Sequence, residues 1–96
     1  MENFEGKIAE IVYLPGASSD SGMVEARIQT ADQLRLVRLA PVGFLKERGL
    51  HLREGDTIAG QGFRLSAMGG DLIVATEVRS GGTALSLRDV QGRPAW

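Results

Sequence analysis

Three arginines, Arg27, Arg35 and Arg38, stand close together in a stretch whose apolar alternation reads as two consecutive strands. A guanidinium presents a planar fork of donors that fits a phosphate or a carboxylate. These three are therefore the candidate ligand-binding residues, aimed at single-stranded nucleic acid or another anionic ligand. Other chemically capable residues are few. His51 is the only histidine and there is no cysteine, which leaves a metal centre without a second imidazole or any thiolate. Ser18 and Ser19 would need His51 beside them to act as nucleophiles, and no spacing in the sequence brings it there. Glu54 and Asp56 flank Gly55 and are accounted for as solvated turn residues. Gly60-Gln61-Gly62 is followed by no helix amino end, so it lacks the aligned N–H groups of a phosphate cradle. The expectation is a non-enzymatic chain with no cofactor and no metal.

Composition sets the frame in which those residues must sit. Ninety-six residues with 43% hydrophobic and 24% charged content make one domain, 1–96, with a single modest core. Thirteen glycines point to bent strands and many turns. A net charge of −1 argues against a protein whose main task is gripping polyphosphate. The average conceals an asymmetry: Glu2, Glu5, Glu10, Asp20 and Glu25 face only Lys7, whereas the remainder carries most of the arginines. No apolar run approaches the roughly 20 residues that span a bilayer, and the opening MENFEGKIAE has no signal-peptide core. The compartment stays open: cytoplasmic, or periplasmic if a leader was removed.

The elements that position the arginines follow from local pattern. Phe4 to Leu14 is apolar on both parities, as a bent first barrel strand requires, with Gly6 as the place to bend. Pro15 to Gly22 is small and polar and reads as a mobile loop. Met23 to Thr30 alternates, Val24, Ala26 and Ile28 inward and Glu25, Arg27 and Gln29 outward. Leu34 to Leu39 contains a parity slip near Leu36, which separates Arg35 from Arg38. Pro41 to Arg48 reads as a short helix with Pro41 at its first position, Val42 and Leu45 on one face and Gly49 as a left-handed stop. Thr57 to Ser66 turns a corner at its two glycines. Ala67 to Asp71 closes a hairpin, and Leu72 to Ser80 returns with Leu72, Val74 and Val78 inward. Thr83 to Arg88 is an additional strand, and Asp89 to Gly92 a terminal turn before Trp96. One helix between the third and fourth of five strands is the layout of an all-β, five-stranded OB-type Greek-key barrel, here with an extra carboxyl-terminal strand.

On the first strand EGKIAEIV, the helix and the segment LREGDTIAGQGF, the chain resembles the small bacterial OB-fold proteins, including the stress-tolerance group. That resemblance spans Glu5 to Arg79, rests on structural motifs, and implies a binding or accessory role with no catalytic residues to carry over. The functional expectation is a non-catalytic binding module that mediates protein interaction or acts as an accessory domain. The alternative is single-stranded nucleic-acid binding through the strand 2 and 3 face, with Arg27, Arg35 and Arg38 meeting phosphates. Single-strand binders stack bases on exposed rings. Only Phe4, Tyr13, Phe44, Phe63 and Trp96 are available, mostly at core positions. Three phosphate contacts allow a logarithmic salt slope of only about −2. As strand-surface residues, all three arginines are expected to be replaceable by Gln without loss of fold.

Overall fold

The computed structural model describes residues 1–18, 20–67 and 70–96. Its elements run β1 (Glu2–Leu14), β2 (Met23–Gln29), β3 (Leu34–Pro41), α1 (Val42–Glu47), β4 (Thr57–Ala67), β5 (Gly70–Ser80) and β6 (Thr83–Ser86). Two expectations fall partly outside the described residues: the loop expected over Pro15 to Gly22, at Ser19, and the hairpin turn expected over Ala67 to Asp71, at Met68 and Gly69.

β1 serves both halves of the barrel. Glu2 to Lys7 pairs antiparallel with β4, and Lys7 to Leu14 pairs antiparallel with β2, with a register shift between Ile8 and Glu10. The bend therefore works through a bulge at Ala9, three residues beyond the expected Gly6. β2 pairs with β3 and β4 with β5, both antiparallel, and Leu36 to Arg38 runs parallel to Leu72 to Val74 to close the circle. β6 adds to β5 outside the closed barrel. The result is the expected five-stranded OB-type barrel with one helix between β3 and β4 and an additional strand. Ile8, Ile28, Val37, Leu39, Ile58, Ile73, Val78 and Leu87 fill its interior.

The corner in β4 is built from close approach. A Cβ on Gly60 would lie 2.8 Å from the Phe4 ring, and one on Gly62 would lie 2.8 Å from the Ala75 Cα, so no side chain fits at either position. Across the ladder, Gln61 faces Glu77 while Gly62 faces Ala75, which leaves Thr76 as the extra residue of a bulge. Its hydroxyl donates to the Gln61 carbonyl at 3.1 Å. This one residue corrects the expected facing of β5. Ile73 and Ala75 are buried before the bulge and Val78 after it, while Leu72 and Val74 are only half-buried on the other face.

Two further expectations shift. No slip occurs near Leu36, because β2 and β3 pair without interruption from Glu25 opposite Arg38 to Gln29 opposite Leu34. The irregularity lies instead between Met23 and Glu25. Pro41 is the last residue of β3 rather than the first of the helix, with φ −62° and ψ 148°. Proline fixes φ at a value common to helix and extended chain, so ψ alone decides between them. The helix stop is as expected: Gly49 has φ +77°, its N–H reaches the Lys46 carbonyl at 3.1 Å, and Leu50 N–H reaches the Leu45 carbonyl at 3.0 Å. That pair of bonds is a Schellman closure, and buried Leu45 and Leu50 supply its apolar contact. Six residues cannot hold a helix in water alone; burial of Phe44 and Leu45 holds it here.

Candidate functional site

The β2–β3 register decides what the three arginines do. Residues directly opposite in an antiparallel pair share a face. Arg27 stands opposite Leu36 and Arg35 opposite Ile28, so Arg27 and Arg35 point to opposite faces and form no guanidinium pair. Each also meets a carboxylate of its own chain. Arg27 lies 3.2 Å from Glu10, its neighbour across the β1–β2 ladder. Arg35 lies 3.2 Å from Glu2, which Arg64 shares at 3.1 Å. Arg38 donates through Nε to Glu25 at 2.6 Å. Glu25, expected to face outward, is 5% exposed. A buried carboxylate requires such a partner, so Arg38 is a structural counter-ion of β2.

The residues considered for catalysis are also placed. Ser18 is tied to Ser21, whose Oγ accepts from the Ser18 N–H at 2.8 Å. Asp56 accepts from the Arg53 N–H at 3.0 Å and holds the turn into β4, as expected, while Glu54 is exposed. His51 is exposed at the rim of a cavity of about 150 Å³, also lined by Ile11, Tyr13, Val42, Leu45 and Leu52. The loop after β1 reaches this region. Its Gly22 and Asp20 carbonyls accept the Val42 and Gly43 N–H groups, each at 2.9 Å, and so satisfy the amino end of α1. Tyr13 stands at the cavity mouth, 62% exposed.

The other side of α1 carries an arrangement that the sequence reading did not assemble. Arg48 lies over the Phe44 ring, 4.9 Å from its centroid. Phe44 meets Trp96 with centroids 5.3 Å apart and planes inclined at 58°, and Arg88 lies over Trp96 at 4.8 Å. Trp96 thus packs back on the molecule. It is positioned by the terminal turn, where Asp89 accepts the Gln91 and Arg93 N–H groups at 2.9 Å each, and by the Ala95 N–H bonded to the Leu87 carbonyl at 3.0 Å. The Phe44/Arg48 spacing of four residues places both on one helix face and was visible in the sequence. The approach of Trp96 and Arg88 was not.

A closed five-stranded barrel with its helix between β3 and β4 defines the class of OB-like barrels, here with Arg27, Arg35 and Arg38 each beside a carboxylate of the same chain. Within that class, the chain belongs to the MamS/MamX magnetosome protein family, whose profile matches residues 1–85. The stress-tolerance group resembled by EGKIAEIV and LREGDTIAGQGF is thereby corrected: those segments specify a barrel strand and a barrel corner, features that unrelated families share. Neither curated proteins nor solved structures gave a match.

Proposed function

We propose that this chain is a non-catalytic interaction module, an accessory domain that docks another polypeptide of a magnetosome-associated assembly. The observation that carries this reading is the cleft beside α1. Tyr13, Ile11, Val42 and Leu52 present apolar surface around an open cavity, while the Val42 and Gly43 N–H groups are engaged by the loop. An aromatic side chain standing exposed over an apolar pocket is the kind of anchor that protein interfaces use. The family match supports an accessory role. The alternative, single-stranded nucleic acid on Arg27, Arg35 and Arg38, has less support, because each guanidinium already meets a carboxylate.

The test is a photo-crosslinker placed at Tyr13, and in a control at Ala84 on β6, in a magnetosome-forming cell that expresses the chain. The reading expects one discrete polypeptide adduct from position 13 that Val42→Glu abolishes and that position 84 does not yield. Equal adducts from both positions, or none from position 13, would reject the cleft as the docking surface. Salt-sensitive binding of a labelled single-stranded oligonucleotide, lost when Arg27 is replaced by Gln, would favour the alternative.

A further inference from the structure

Four lysine and arginine side chains have no carboxylate within 4.0 Å among the described residues, namely Lys7, Arg48, Arg53 and Arg88. Two of them, Arg48 and Arg88, flank the same ring pair. Arg88 is half-buried, donates to the Ala75 carbonyl at 2.6 Å, and has further N–H groups to offer. Burial, and then the positive charge of Arg38, lowers its pKa from the ordinary arginine value. A partly desolvated cation beside a like charge gains from any anion that reaches it. Trp96, 42% exposed, forms an apolar rim between the two guanidinium groups.

From this geometry we propose that the Arg48–Phe44–Trp96–Arg88 face docks an acidic polypeptide segment, whose carboxylates take the open N–H groups of the two arginines. Charge complementarity names the occupant, since these guanidinium groups lack the carboxylate partners that the β2–β3 arginines possess. Stacking at the same place favours a peptide over a nucleic acid. Phe44 is buried, and one face of Trp96 is already taken by Arg88. A base therefore finds little ring surface, while two phosphate contacts alone give a salt slope of only about −1.4. The face is distinct from the Tyr13 cleft, which uses Val42 and Leu45 on the other side of α1. Phe44 and Arg48 lie within the family-matched residues, and Arg88 and Trp96 beyond them.

The experiment is fluorescence anisotropy of a labelled oligoglutamate peptide against the whole chain, with oligoglutamine and oligothymidylate of equal length as competitors. It is run at ionic strengths near 0.01 M and 0.15 M, where screening lengths are about 30 and about 8 Å. Oligoglutamate should bind, more weakly at the higher salt, and oligoglutamine should not compete. Arg48→Gln should weaken binding about threefold and Arg88→Gln about tenfold, with Arg27→Gln neutral. Arg48 is exposed at the helix end, so its variant remains informative if Arg88→Gln impairs folding. No binding at low salt would overturn the proposal, as would equal loss in Arg27→Gln or tighter competition by oligothymidylate than by unlabelled oligoglutamate. None of these outcomes bears on the Tyr13 crosslink, so the two readings fail separately.

Discussion

On the β2–β3 face the ladder itself supplies counter-ions: Glu10 opposite Arg27 and Glu25 opposite Arg38 are register partners. On the face made by α1 and the terminal turn no ladder exists, and Arg48 and Arg88 rest on aromatic rings instead. The two faces draw on the same residue type and differ in availability. A guanidinium matched to a carboxylate is largely neutralised toward a ligand, whereas one stacked on a ring keeps its charge and most of its donors. Arginine density along the chain therefore draws attention to the β2–β3 face, and the absence of ion pairing among the described residues draws it to Arg48 and Arg88.

The largest effect that bears on this comparison comes from the helix separating the cleft from the ring stack. Leu45→Ala should destabilise the fold by about 2–5 kcal/mol through lost transfer free energy and the cavity left behind. Urea denaturation measures it, and a loss under about 1 kcal/mol would mean that α1 is not held by its buried face. Next is the buried half of the β2–β3 face. Arg38→Gln leaves Glu25 without its counter-ion and should cost about 1–3 kcal/mol. Arg38, bonded to buried Glu25, is thus not the free strand-surface residue that the sequence suggested; wild-type stability in this variant would show that Glu25 finds another partner.

On the face made by α1 and the terminal turn, Trp96→Ala removes one ring pair and one cation–ring contact and should cost about 1 kcal/mol. A matching shift in the denaturation midpoint tests it, and no shift would mean that the stack is not populated in solution. Arg27→Gln breaks an exposed pair, both partners 56% exposed, and should change stability by less than about 1 kcal/mol. A larger loss than in Arg38→Gln would invert the contrast drawn between buried and exposed pairs.

The smallest effect concerns pH. The Asp89 carboxyl is held below its ordinary pKa first by the Arg93 backbone N–H and then by the Arg93 side chain. A carboxyl lowered in the folded state stabilises above its unfolded pKa of about 3.9, and that contribution is lost as pH falls through the lowered value. Trp96 emission in the wild type should therefore hold steady down to about pH 4 and change below it. In Asp89→Asn the added acid step should be missing; identical profiles would show that the turn does not position Trp96.

Much of the architecture was legible along the chain because its signals are local. Alternation marked the strands, Gly49 the helix stop, the paired glycines the corner in β4, and Asp89 to Gly92 the last turn. Each of these depends on a residue and its near neighbours. The candidate site was legible in part: Arg27, Arg35 and Arg38 were identifiable as strand arginines and Arg35 as separate from Arg38, but that Arg27 faces away from Arg35 needed the register.

What the amino-acid order could not convey was everything that hangs on register. Thr76, a single additional residue in β5, reverses which side chains enter the core after it, and its effect exists only once β4 lies alongside. Glu25 is outward by alternation, yet buried in the barrel, where β3 brings Arg38 opposite. Trp96, with Arg88 over its ring, meets Phe44 from a distant part of the sequence, through a turn and a barrel closure with no local signature. Short-range sterics and backbone chemistry act residue by residue and can be read in order. Ion pairing and stacking depend on distances between remote segments, and only the closed barrel sets those distances.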